Sequence, residues 1–318
     1  MELRQLRYFV AVVEEGGFTR AATRLHLAQP GLSAQVRRLE KELGQPLLDR
    51  SGRSVTLTEA GRAVLPHARA ALAAADAVRQ TVDEYAGLLR GRVTLGVVSG
   101  ATSHAFDVAS LLADFHDAHP AVEIALTEDT SERMQAALLA GELDIALLGP
   151  TEETPPPGVS FRMVIDTPLA AAVASGDPLL APGGTRPAPA PADRTSVHLA
   201  DLRDRPLICL PRGTGVRAAL ERACAQAGFR PRVAFEAAAP HVLAQLAARG
   251  LGIAVLPAGE DGPAPDGHLR MLQIVRPGIR GRIALAWRST GPVSPAARAL
   301  LDRLREALPE VAVEPPGP

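Results

Sequence analysis

One lysine, Lys41, stands among the chain's 34 basic residues, and only two cysteines, Cys209 and Cys224, occur in 318 positions. Two cysteines exclude a disulfide framework and suit a reducing compartment. Aromatic residues make up just 3%. No run of about 18 apolar residues appears, so no transmembrane helix is expected and a membrane is not a predicted partner. The opening MELRQLRYF mixes charge among its apolar residues and lacks a signal-peptide core, which predicts a cytoplasmic protein. GxSxG, P-loop and HExxH patterns are all missing, so nothing specific points to an enzyme. The scarcity of lysine beside 28 prolines reads as genomic GC bias rather than chemistry.

The rest is ordinary globular composition, 47% hydrophobic and 22% charged, in a chain long enough for two or three domains. The net charge of −1 conceals an asymmetry. Residues 1–62 hold ten basic side chains against seven acidic ones, a local +3 that leaves −4 for the remainder. A local basic footprint can meet phosphate even when the whole chain is near neutral.

Leu3, Leu6, Phe9, Val10 and Val13 recur at helical spacing and Gly16-Gly17 ends that helix. Thr19 is expected to cap a short helix over 19–25. After His26-Leu27-Ala28-Gln29, Pro30 opens a third helix that Gly44 stops. Leu32, Val36, Leu39 and Leu43 form its inner stripe, and Gln29, Ser33, Gln35, Arg37, Arg38 and Lys41 are left facing out. The alternation around 47–57, with Arg50 and Arg53 near its tip, reads as a two-stranded hairpin. A seam of Val64, Ala68, Ala71, Ala75, Val78, Val82, Tyr85 and Leu89 then alternates steps of four and three, which suits pairing with a second helix. Pro66 is expected to distort its first turns. From Gly91 onward short apolar strands alternate with helices, among them a helix over 102–118, which predicts α/β structure with parallel sheet. Segment 181–195 is expected to be a disordered or polyproline loop, and the tail from Glu314 to be frayed.

Helix, helix, turn, helix and hairpin in 60 residues make a winged helix-turn-helix. A third helix of about 14 residues is roughly 21 Å long and fits the major groove. Gln29, Ser33 and Gln35, beside Pro30 at its start, are suited to base edges. Arg37, Arg38 and Lys41 are suited to phosphates, and Arg50 and Arg53 to the DNA backbone or minor groove.

The run AATRLHLAQPGLSAQVRRLEKELGQPLLDRSGRSVTLTEAG resembles the N-terminal domain of LysR-type transcriptional regulators. The matching positions include Phe18, Ala21, Ala22, Leu25, Gln29, Pro30, Leu32, Ser33, Leu39, Glu40, Gly44, Arg50, Thr58 and Gly61. Gly31 replaces the usual alanine, and Leu48 the common phenylalanine. Further on, RVTLGV at 92–97, GELDIA at 141–146 and GLGIAVLP at 250–257 resemble the same family's effector-binding domain. The resemblance implies an α+β multidomain chain. Residues 1–58 would form the winged helix-turn-helix, and 59–89 a long linker helix for dimerisation. Residues 90–318 would form a two-lobed α/β domain like a periplasmic binding protein. Lobe one would take 91–164 and 270–308, and lobe two 165–269, with crossing strands between them. Expected partners are double-stranded DNA, a small-molecule effector and further copies of the chain, as a homodimer and then a homotetramer; RNA polymerase is a further candidate. No cofactor or metal is expected.

Ligands in open α/β sheets sit at the carboxyl ends of strands, near free helix N-termini. Ser99, Gly100 and Thr102, Thr130 and Ser131, and Arg212 and Thr214 occupy such junctions, with simple helix capping as the alternative; Asp129 and Glu132 are spaced like a capping pair. Helix N-termini and Arg212 favour an anionic effector such as an organic acid. A peroxide-sensing branch of the family uses two cysteines in lobe two. Here Cys209 lies in the apolar run 207–210 and Cys224 follows Leu220 by four, so buried packing is expected instead. His116 and His119 share a helix face without a third ligand, which does not make a metal site. A solute-binding module would have no use for the first 60 residues, and an α/β enzyme would need converging catalytic groups that are not found.

Overall fold

The computed structural model describes residues 1–51, 54–85, 89–98, 107–152, 154–180, 195–258 and 268–313, without the side chains of 79–81 and 83–85. Arg53, Ser99, Gly100, Thr102, the expected loop up to 194 and the tail from 314 lie outside the described residues.

Apolar residues at helical spacing build α1 (Leu3–Glu15), whose Leu6, Phe9 and Val10 are buried. Gly16 turns left-handed at φ +62°, as a helix-ending glycine can at little cost. In α2 (Phe18–Arg24) the cap is Gly17, not Thr19. The second glycine already supplies the extended cap backbone, so Thr19 falls inside the first turn. Helix α3 (Gln29–Leu43) follows, with Pro30 in its first turn and Gly44 as its stop at φ +71°. Leu32, Val36 and Leu39 are buried as expected, but Leu43 is exposed, because the last turn has run past the head's core.

Strands β1 (Leu48–Asp49) and β2 (Thr56–Leu57) pair antiparallel as a small wing. The Thr58 hydroxyl accepts the Gly61 N–H at 2.9 Å and donates to the Pro46 carbonyl at 2.7 Å. It thereby caps α4 (Glu59–Tyr85) and fastens it to the wing. A Cβ at Gly61 would lie 2.0 Å from the Leu47 oxygen, so only glycine allows this approach. Helix α4 runs unbroken through Pro66.

The heptad seam on α4 divides in the structure. Ala68 is buried in the head's core, with Val64 and Ala71 packed against it. Leu89 packs into the core of the following domain. Val78 and Val82, between them, are 68% and 66% exposed. Periodicity identified the apolar stripe but not which partner each part covers.

One sheet runs through both lobes, in the order β4 (Val122–Glu128), β3 (Gly91–Val97), β5 (Ile145–Leu148), β12 (Arg280–Arg288), β6 (Val159–Ala174), β10 (Ile253–Pro257), β8 (Leu207–Cys209) and β9 (Val233–Glu236). Lobe one places β3 (Gly91–Val97) parallel to β4 (Val122–Glu128) and β5 (Ile145–Leu148). Around it stand α5 (Val108–Ala118), α6 (Ser131–Ala140) and α9 (Pro295–Ala307). The described part of α5 begins at Val108, later than expected. Asp107 caps it there by accepting the Ser110 N–H at 2.9 Å. Lobe two holds β7 (Ser196–His198), β8 (Leu207–Cys209), β9 (Val233–Glu236), β10 (Ile253–Pro257) and β11 (Leu269–Val275). Its helices are α7 (Gly215–Gln226) and α8 (Pro240–Ala248).

Two strands cross between the lobes. β6 (Val159–Ala174) passes from lobe one's core at Val164 into lobe two's at Leu169, and β12 (Arg280–Arg288) runs antiparallel beside it. β11 corrects the expected boundary. The resemblance implies that residues 270–279 belong to lobe one, but β11 pairs with the lobe-two end of β6, and Leu272, Ile274 and Ile279 fill lobe two's core. Among the described residues no helix is long and apolar enough to cross a membrane.

Candidate nucleic-acid interface and effector cleft

With Leu32, Val36 and Leu39 facing the head's core, α3 turns Gln29, Pro30, Arg37, Arg38 and Lys41 outward. Arg37 and Lys41 make no ion pair among the described residues. Arg38 shares its charge with Glu42 at 3.1 Å, one turn along. Hydrogen bonding to the N-terminal amine, aided by Arg38, holds the Glu42 carboxyl below its ordinary range.

Ser33 departs from the sequence reading. It is 9% exposed, tucked at the edge of the buried stripe, and does not project like Gln29. Gln35 is half-buried. Arg50, expected to meet the DNA backbone or minor groove, donates within the head to Glu40 at 2.7 Å and lies 5.1 Å from the centre of the Phe18 ring. Glu40 was missed as a working residue. Its Oε1 accepts the N–H groups of Leu47 (3.0 Å) and Leu48 (3.1 Å), clamping the wing onto α3. The only sign in the sequence was its membership of the family motif.

The N-termini of α6 and α7 meet between the lobes. The Glu132 N–H donates to the Gly213 carbonyl at 3.1 Å. Gly213, at φ +81°, sits so close that a Cβ would meet Glu132 Oε2 at 3.1 Å. A Cβ on Gly215 would come within 2.6 Å of the Gly149 backbone. Glycines thus let the two lobes touch.

Four of the expected effector residues are gathered at this contact or beside it. Thr130 and Thr214 stand at the N-caps of α6 and α7, and neither side chain makes a capping bond. The Thr214 hydroxyl donates instead to the Pro211 carbonyl at 2.7 Å. Ser131 is fully buried and its hydroxyl accepts the Gly149 N–H at 3.1 Å, a bracing role. Arg212 leans out to solvent, its side chain 81% exposed and 3.9 Å from Glu221. Asp129 does not cap α6 either; it pairs with Arg133 at 3.5 Å.

The buried cation here is Arg217, which sequence reading missed because it lies within a helix. It donates to Glu221 and Glu236, each at 2.7 Å. Burial opposes its charge, but these two carboxylates outweigh that and raise its pKa. Where the Gly149–Gly215 contact ends, a small concavity opens, lined by Pro150, Glu152, Met163, Arg222, Arg280 and Arg282. Asp166, its side chain fully buried, lies 2.7 Å from Arg280 and 3.4 Å from Arg282.

Cys209 and Cys224 are buried in lobe two's core. Desolvation pushes their pKa values up to about 12 and about 11, so both remain thiols. His119 ends α5 with its ring tilted against Phe115. Among the described residues no group of three or more potential ligands gathers around a metal position.

Two family descriptions match the chain. Residues 3–62 match the bacterial regulatory helix-turn-helix protein, lysR family, and residues 86–309 match the LysR substrate binding domain. The HTH-type transcriptional regulator ShiR of Corynebacterium glutamicum is 35% identical, covering 90% of this chain and 92% of that protein. A full-length OxyR variant from Pseudomonas aeruginosa superposes with a TM-score of 0.72 at 26% identity, over 99% of both chains. Full-length CbnR complexed with its target DNA superposes at 0.58 with 26% identity, over 96% of this chain and all of that one. The chain belongs to the LysR family of DNA-binding transcriptional regulators, with a winged helix-turn-helix head and a two-lobed effector-binding domain.

Proposed function

We propose that this regulator works in the cytoplasm, by binding alone and without turnover. It reads base edges with Gln29, Pro30 and Gln35 and holds phosphates with Arg37, Arg38 and Lys41. The observation that carries this reading is the outer surface of α3, where Gln29 and Pro30 stand exposed in the first turn and Arg37 and Lys41 stand exposed further along, without an ion pair among the described residues. Helix N-terminal residues reach base edges when a helix of this length enters the major groove. Footprinting on the DNA upstream of the chain's own gene tests it. A folded protein that protects no site there overturns it.

The effector is an organic anion bound between the lobes. Thr130 offers its hydroxyl, Thr130 and Thr214 stand at helix N-termini, and Arg222, Arg280 and Arg282 line the adjoining concavity. Calorimetric titration with small mono- and dicarboxylates tests this, and a cation as the best binder overturns it. The exposed pair Val78 and Val82 on α4 is the surface through which two copies associate, and dimers pair further into tetramers.

A further inference from the structure

Helix α6 has one end in the cleft and the other against the DNA-binding head. At its N-terminus, the Ser131 hydroxyl accepts the Gly149 N–H and the Glu132 N–H donates to Gly213 of lobe two. Ten residues further, about 15 Å along, Gly141 ends the helix at φ +71°. Glu142 follows at once and is not loose. Its N–H donates to the Ala137 carbonyl at 2.8 Å, and the Leu143 N–H donates to the same oxygen at 3.2 Å. Glu142 therefore moves with α6.

The Glu142 carboxylate pairs with Arg69 on α4. The other guanidinium nitrogen of Arg69 lies 3.7 Å from Glu14 on α1, and the second Glu14 oxygen holds Arg24 at 2.8 Å. Arg24 is the last residue of α2, just before the turn that leads into α3. Arg69 itself is 15% exposed, so water screens it less than an ordinary surface arginine. One alternating line of charges thus joins lobe one to the helix that precedes the DNA-reading helix of the same subunit.

We propose that α6 is a lever and Arg69 its positioning residue. A change in lobe closure at Gly213 and Gly215 shifts α6, and the Glu142–Arg69–Glu14–Arg24 line carries that shift to the head. The proposal rests on the effector-regulated reading of the family, but the lever can be tested without knowing the effector. Gly215→Ala perturbs the lobe contact directly, because the new Cβ would clash with Gly149. Where that variant fails to fold, Gly213→Ala serves in its place, at a φ of +81°.

The affinity of the full chain for a duplex of its own upstream region is measured in four proteins: wild type, Gly215→Ala, Glu142→Gln and the double variant. Glu142 is half exposed, so its isosteric glutamine leaves the fold intact. The lever predicts that Gly215→Ala shifts Kd by about threefold to fivefold, and that Glu142→Gln removes most of that shift. Equal factors in both backgrounds, or no shift in the wild type, overturn it. Arg69→Lys, which keeps the charge, is expected to retain part of the coupling.

Hydrogen exchange on the free protein decides the lever even if no DNA is bound, an outcome that would instead remove the regulatory reading. The amides of residues 3–24 are expected to exchange faster in Glu142→Gln. Unchanged protection there overturns the proposal.

Discussion

Arg50 in the wing donates to Glu40 on α3 at 2.7 Å, while the other Glu40 oxygen accepts two wing amides. One carboxylate, 11% exposed, thus sets the angle between α3 and the wing. Glu40→Ala leaves the Leu47 and Leu48 N–H groups without their acceptor. An unsatisfied buried donor costs about 1–3 kcal/mol. The urea midpoint of the head is expected to fall accordingly, with Glu40→Gln intermediate because one amide oxygen remains. A midpoint unchanged in Glu40→Ala would show that the clamp contributes nothing.

Much of the head was legible because its packing is local. Leu32, Val36 and Leu39 recur at helical spacing and are bounded by Pro30 and Gly44, so residues a few positions apart decide the outcome. Ser33 was misread because it sits at the edge of the stripe, where a one-residue rotation decides burial. The α4 seam was visible as a pattern, yet Val64, Ala68 and Ala71 face the head itself, which a period cannot reveal. The lobe assignment of β11 depended on pairing with β6, nearly 100 residues away, and register of that kind leaves no local trace. At the cleft, helix N-termini were legible from strand-to-helix junctions. The lobe contact was not, because it depends on what lies opposite Gly213 and Gly215 in a different part of the chain.

Exposed cations and buried hydroxyls on α3 should separate in DNA binding. Arg37→Ala and Lys41→Ala are each expected to weaken binding to all sequences alike. Each should also reduce the slope of log K against log salt by about 0.9 for each phosphate contact removed. Gln29→Ala should instead relax preference at one or two base pairs. Ser33→Ala, at a buried position, should leave specificity unchanged. Fluorescence anisotropy across a salt series measures all four, and a specificity change confined to Ser33→Ala would reverse the assignment.

Cys209 and Cys224 should be unreactive in the folded protein. Their pKa values of about 12 and about 11 exceed the ordinary 9.0 because burial disfavours the thiolate. Iodoacetamide at pH 8 is expected to leave both unmodified in native protein and to label both in urea. The same shifts make folding depend on alkali. The stability tied to the neutral thiols is fully present below pH 9 and is lost as pH rises through the folded values. Alanine at both positions should flatten that alkaline decline, so rapid native labelling, or a decline unaltered by the substitutions, would contradict burial as the cause.

Val78 and Val82 lie one helical turn apart and are each about two-thirds exposed. Surface substitutions that touch nothing usually change stability by no more than about 0.5 kcal/mol, and glutamate is a better helix former than valine. Glutamate at both positions should therefore leave a single subunit as stable as before. In a paired α4 seam, the same change would bury four carboxylates against one another, a repulsion that association cannot absorb. Sedimentation velocity is expected to show the double variant shifted to monomer, with DNA affinity falling because two half-sites no longer act together. An unchanged sedimentation coefficient would move the interface between copies away from this stripe.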